Sequence, residues 1–249
     1  VKADGFDLVD DFSDLFGMNA AGTDAKMRNT KESILEAQFT SGAGNWCTWM
    51  FGRDLVNWNN NFTWAKWVTP SRDLISAFKQ EGDEVRFKES IVYYDCNWSN
   101  YYSSDNYPFM YKCRSANSSI IKYRYADVLL LKAEALIMQD TPDLEGAADI
   151  IDEVRDRAKL GALPTSVRSN KNVLLNALLK ERRLELAFEG QRWFDLVRLD
   201  KVEEVMNAVY SKDSGRKAQI YTFDKNSYRL PIPQSVIDAN DKIHQNPGY

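Results

Sequence analysis

The chain has 249 residues, 44% hydrophobic, 27% charged and 12% aromatic, the balance of a folded globular protein rather than a disordered or fibrous one. Its 32 basic and 36 acidic side chains leave a net charge of −4, so the concentrated basic face of a nucleic-acid binder is not implied. No apolar run approaches the roughly 20 residues of a membrane-spanning helix, and with Val1 as its first residue the sequence reads as a piece whose targeting signals lie outside it.

In chain order, Leu8, Phe12, Leu15 and Phe16 recur at helical spacing and predict an amphipathic helix over residues 6–16. Gly17 to Lys31 reads as loop. The alternation of Leu35, Ala37 and Phe39 with Glu36 and Gln38 predicts a short half-buried strand. Gly42 to Asn61, aperiodic and rich in Gly, Asn and Trp, reads as an ordered loop. Thr69 and Pro70 predict a helix start, as N-cap and first helical residue, for a helix running through Leu74, Ile75 and Phe78 to Gly82. Tyr93 to Tyr111 reads as irregular.

Ser118 to Gln139 predicts a long helix, buried around Val128-Leu129-Leu130-Leu131. After Asp140-Thr141-Pro142 a partner helix shows Leu144, Ala147, Ala148, Ile151 and Val154, with Gly161 as its stop. Ala133 and Ala147 are small where two antiparallel backbones would approach, as in a tetratricopeptide hairpin; only one such hairpin is visible, where a solenoid needs about three. A third helix spans Val173 to Glu189 and breaks at Gly190. A short amphipathic segment, Trp193 to Leu199, follows, and the tail from Tyr221, with Pro231, Pro233 and Pro247, reads as mostly irregular. The fold class is mainly α with minor β.

Little of the composition supports catalysis. Cys47, Cys96 and Cys113 are far apart and His244 is the only histidine, so no structural zinc set is indicated, and no Cys-His or Ser-His-Asp arrangement unless His244 is its base. The thiols read as idle, with one disulfide open to them in an oxidising compartment. No glycine-rich phosphate loop occurs, so no nucleotide cofactor is expected. Asp95, Asn97 and Ser99 imitate a calcium loop, but Asn100 and Asn106 occupy its glycine and glutamate positions.

Glu181, Glu185 and Glu189 interleave with Arg182, Arg192 and Arg198, and the spacing predicts ion pairs among them. A structural network is the favoured reading over a glycosidase acid/base pair, since forked arginines are the usual partners of buried carboxylates. Arg192 and Asp195 should be buried and paired, with Trp193 packed inward.

The aromatic residues are unevenly spread. Residues 46–111 hold six of the seven tryptophans, with six tyrosines and five phenylalanines, beside Asn57, Asn59, Asn60, Asn61, Asn97 and Asn100. Flat rings beside amide donors suit sugars, which present an apolar C–H face and a rim of hydroxyls. Trp46, Trp49, Trp58, Trp64, Trp98, Tyr101 and Tyr102 are therefore candidate ligand-binding residues, two or three of them serving a ligand and the rest anchoring their own loops. Trp67 reads as core.

Several segments in order resemble one family, the SusD/RagB nutrient-binding outer-membrane lipoproteins. They are Glu32–Phe39, Thr69–Leu74, Asp83–Arg86, Tyr123–Leu136, the run Glu181-Arg182-Arg183-Leu184-Glu185-Leu186-Ala187-Phe188-Glu189-Gly190-Gln191-Arg192-Trp193-Phe194-Asp195-Leu196, then Leu230–Ser235 and Gln245–Tyr249. The resemblance implies a SusD-like α-helical fold with tetratricopeptide-like hairpins and irregular loops that shape a glycan site. It implies non-catalytic binding of an oligosaccharide or other nutrient at the cell surface. It implies delivery to a SusC-like TonB-dependent outer-membrane transporter, and anchoring by an acylated N-terminal cysteine. That cysteine and the N-terminal helical half are not in this sequence, so residues 1–249 resemble the family's C-terminal domain. The resemblance also makes the charged run scaffold rather than ligand contact. A tetratricopeptide-type protein-interaction scaffold is the alternative function.

Overall fold

The computed structural model describes residues 5–40, 44–45, 68–95, 102–103, 105–212 and 222–249. Their elements, in chain order, are α1 (Ser13–Phe16), β1 (Ser33–Ala37), α2 (Arg72–Glu81), α3 (Glu84–Ser90), β2 (Ile91–Tyr94), β3 (Tyr107–Met110) and β4 (Ile120–Arg124). Then come α4 (Tyr125–Met138), α5 (Leu144–Arg157), α6 (Thr165–Arg168), α7 (Lys171–Glu185), α8 (Arg192–Arg198), α9 (Val202–Lys212), a 3-10 turn (Lys225–Tyr228) and α10 (Gln234–Ala239). They form two units, Val1–Gly190 and Gln191–Tyr249.

In the first unit Leu8, Phe12, Leu15 and Phe16 are all buried, yet the expected helix shrinks to the four residues of α1. The backbone before it bonds elsewhere: Asp7 N–H donates to Lys31 O (2.9 Å) and Val9 N–H to Glu32 Oε2 (3.0 Å). Tertiary partners outcompete the helical ladder, which is costly to nucleate in so short a segment. β1 forms as expected but pairs antiparallel with β4, Glu36 opposite Ile121 and Ala37 opposite Ile120. Register shifts on both sides of Leu35 break the alternation and leave Leu35 53% exposed.

β4 corrects the long-helix expectation: Ile120–Arg124 are strand, and the helix begins at Tyr125. Ile120, Ile121 and Tyr123 suit a pleated surface. Tyr93 to Tyr111 is corrected likewise, since β2 and β3 pair antiparallel from Ile91–Met110 to Tyr94–Tyr107. Helix α2 starts two residues later than predicted. Ser71 Oγ caps it, accepting from Leu74 N–H at 3.1 Å, while the Thr69 hydroxyl bonds Tyr107 Oη at 2.7 Å. Gly82 ends it as predicted, in the left-handed conformation at φ 69° that glycine adopts without strain.

The helical hairpin is present. Ala133 of α4 and Ala147 of α5 are fully buried and share one core with Leu130, Ile137, Ile151 and Val154. Leu174 and Leu178 of α7 complete that core, so a third helix covers a hairpin that would otherwise lack stacking neighbours. Helix α4 is not buried all round: Leu131 and Met138 are exposed. The turn after α5 comes earlier than Gly161, with Lys159 at φ 61°. Helix α7 ends at Glu185, ahead of the predicted Glu189, and Phe188 (φ 67°) and Gly190 (φ 82°) carry the chain out of it.

In the second unit α8 matches the predicted segment. Asp195 is 2% exposed and pairs with Arg198 at 2.9 Å, whereas Arg192 and Trp193 are only half-buried. The tail is more regular than predicted. Asp224 caps the 3-10 turn, and Gln245 brackets the backbone of Ile232, accepting at 2.7 Å and donating at 2.9 Å. Asn207 of α9 holds Phe223 in the same manner, at 2.9 Å both ways.

Candidate functional site

The charged run of α7 forms a buried network, but with partners other than those its spacing predicts. Glu185 accepts from Arg86 Nη1 (3.0 Å), Arg124 Nη1 (2.5 Å) and Arg157 Nη2. Glu181 takes Arg86 (2.5 Å) and Arg155 (3.2 Å). Glu189 meets the Arg124 fork through both oxygens, at 2.7 and 2.9 Å, and accepts from Lys112 Nζ at 2.6 Å. Glu32 joins Arg124 (2.6 Å) to Arg157 (2.9 Å), and Asp83 caps α3 while binding Arg86. Arg182 and Arg183 turn elsewhere, to Asp127 and Asp73. Distant elements supply the cations because one face of a single helix cannot place both signs in contact when its stripe is all carboxylate.

The network sets its own protonation. Burial alone would raise the Glu185 carboxyl, but Arg157, Arg124 and Arg86 hold it well below the usual carboxylate range. Glu189 is likewise depressed, Arg124 and Lys112 outweighing burial. Burial wins at Glu181 and Asp83, which are pushed up in spite of Arg86. It also pushes the Lys112 ammonium down to about 8 against the pull of Glu189. Lys112 further donates to Glu185 O at 2.8 Å and lies over the Phe16 ring at 4.7 Å. Such a network holds geometry: each of its carboxylates is engaged by arginine or lysine.

Lys112 and Glu189 also line a cavity of about 400 Å³ in the first unit, walled by Phe16, Met110, Ile121 and Phe188, with Lys122 exposed at it. That volume and apolar lining fall in the range of small-ligand sites, about 300–1,000 Å³. Val68 belongs to the same wall, and Asn45 accepts from the buried Cys113 thiol, another wall residue, at 3.6 Å. Asn45 and Val68 are the described residues that flank 46–67 in sequence, the stretch that carries Trp46, Trp49, Trp58 and Trp64. Among the described residues no group of three or more His, Cys, Asp or Glu side chains is placed to hold a metal ion, and no helix is long and apolar enough to cross a membrane.

Of the candidate ligand-binding rings, Trp46, Trp49, Trp58, Trp64, Trp98 and Tyr101 lie outside the described residues, as does the expectation that Trp67 is core. Tyr102 is described and half-buried. Its hydroxyl donates to Pro70 O at 2.7 Å, its ring meets Tyr107 edge-on at 5.7 Å, and the Arg72 guanidinium covers it at 4.7 Å. These contacts tie the β2–β3 connection to the start of α2. Sequence reasoning missed Lys112, Lys122 and the arginines of the network. The available signal was a cation inside an apolar run, as in Ile120-Ile121-Lys122-Tyr123-Arg124-Tyr125.

The model of the SusD family matches residues 111–249, more than half of the chain. A SusD-like protein of Formosa agariphila, P38, is 43% identical over 99 residues, 37% of this chain and 19% of that protein. The solved structure of a SusD homolog from Bacteroides thetaiotaomicron superposes with a TM-score of 0.74 at 20% identity, over 98% of this chain and 56% of that one. Surface glycan-binding protein A of the same organism, in complex with laminarihexaose, gives 0.70 at 20% identity, over 97% and 56%. At that identity the structures establish the fold. The chain spans just over half the length of these two structures, and its match to P38 covers about a fifth of that protein.

Proposed function

The chain belongs to the SusD family, and from that premise we propose that it captures an oligosaccharide at the cell surface without cleaving it. In this reading it is the C-terminal domain of a longer, lipid-anchored outer-membrane protein that passes its ligand to a SusC-like TonB-dependent transporter. The observation that carries the proposal is a cavity of about 400 Å³ with an apolar wall, in a chain whose tryptophans concentrate in residues 46–111. Val68 and Cys113 line that cavity, Asn45 accepts from the Cys113 thiol, and the buried network stands behind its Lys112 and Glu189. Rings for sugar stacking need a rigid frame, because a ring that must be ordered on binding loses part of the energy it gains. A relative of the same fold, solved with laminarihexaose, supports the ligand class.

Trp46, Trp49, Trp58, Trp64, Trp98 and Tyr101 are the proposed stacking rings, and Tyr102, held by Pro70, Tyr107 and Arg72, is proposed as a loop anchor. Each ring that stacks should contribute on the order of 1–3 kcal/mol, by analogy with bases on aromatic platforms. The test is alanine substitution of each ring, with glycan affinity and melting temperature measured side by side. Two or three variants should lose affinity at unchanged stability, while Tyr102→Ala should lose stability. If every variant that weakens binding also unfolds, the rings are anchors only. Release of reducing ends from a bound glycan would show an enzyme instead.

A further inference from the structure

We infer that the captured glycan carries an anionic substituent, a carboxylate or a sulfate ester, and that Lys122 selects it. This rests on the glycan reading above and adds the ligand's charge. The observation is an imbalance at the cavity. Two of its charged side chains satisfy one another: the Lys112 ammonium donates to Glu189 at 2.6 Å, and Glu189 is further held by the Arg124 fork. Lys122 is different. It lines the same cavity, is exposed, and makes no ion pair among the described residues.

Lys122 cannot be put down to a generally basic surface, because the chain as a whole is at −4. Its position is fixed by strand β4, whose Ile120 and Ile121 contribute to the cavity wall and whose Arg124 is locked into the buried network. A neutral sugar would leave the ammonium in water with nothing gained. An anionic sugar would lay its C–H face on the apolar wall and its charge on Lys122, forming a charge-assisted hydrogen bond where the wall excludes part of the solvent.

The experiment is calorimetric titration of the protein with three oligosaccharides of matched backbone: an oligogalacturonate, the same oligomer after carboxyl reduction, and a sulfated oligogalactoside. The two anionic arms separate carboxylate from sulfate. At least one anionic ligand should bind about tenfold more tightly than the reduced one, a preference that falls away in 0.5 M salt, roughly a 4 Å screening length. Lys122→Gln should abolish the preference at unchanged melting temperature, and Lys122→Arg should keep it. Equal affinity for the charged and reduced oligomers, or a preference that survives in Lys122→Gln, overturns the inference and leaves glycan capture standing. Failure to bind any sugar on an array of neutral and acidic glycans overturns capture itself, and this inference with it.

Discussion

Glu185 touches three arginines that come from three other places in the chain, 99, 61 and 28 residues away. A buried pair adds little net stability when complete, but removing one partner leaves uncompensated charge in a medium that cannot solvate it. Glu185→Gln, nearly isosteric, should therefore cost roughly 3–5 kcal/mol of unfolding free energy in urea titrations. Lys180→Gln, which removes an exposed partner of Glu81, should cost less than about 1 kcal/mol. Similar losses in the two variants would mean that the network is not a buried scaffold. At this scale the sequence showed that the carboxylates of α7 were structural but not what they met. Spacing along one helix reports which side chains share a face, and says nothing of the strand or helix that will arrive opposite.

Among the elements, α5 shows how a local rule is overridden by a neighbouring one. Gly146 stands in its first turn, where alanine would ordinarily favour the helix by about 1 kcal/mol. Asp143 Oδ1 accepts from Gly146 N–H at 2.9 Å, and a Cβ at residue 146 would collide with that carboxylate. Gly146→Ala should therefore give no stabilisation, because the cap it displaces is worth about 0.5–2 kcal/mol. In an Asp143→Ala background the same change should stabilise by about 1 kcal/mol. Thermal unfolding of the four proteins in this cycle checks the coupling, and additive effects would refute it. The hairpin of α4 and α5 was legible because its period repeats over many residues and its small residues mark the crossing. The strand β4 was not: its run of Ile120, Ile121 and Tyr123 leads straight into α4, and only the presence of β1 opposite decides where strand gives way to helix.

For the whole molecule the network predicts an asymmetric response to pH. Glu185 and Glu189 have folded-state values below the ordinary 4.5, so the stability they contribute is present above that value and is lost as pH falls through their folded values. Glu181 and Asp83 are raised, so the cost of burying them is relieved as pH falls through the window above 4.5 and 3.8 respectively. Lys112 titrates near 8 when folded and 10.5 when unfolded, so between those values the unfolded chain binds more protons and this lysine's contribution to stability rises with pH. Urea midpoints should accordingly hold from pH 7 to about 5, fall steeply below about 4, and show no loss from Lys112 between pH 8 and 10. A midpoint that declined steadily from pH 7 to 5 would contradict the assignment. The sequence by itself determined the class of fold, the helical hairpin, the existence of helix α7 and the family, because each rests on periods or motifs local in the chain, whereas only the structure showed that α7 covers the hairpin. The sequence also concentrated the aromatic rings in one stretch. Only the tertiary structure decided that Leu8 and Phe12 are buried without a helix, that β2 and β3 pair, and that Lys112, Lys122 and Glu189 meet at one cavity. Those outcomes join residues far apart in sequence, and the energy that selects them exists only once the distant partner is in place.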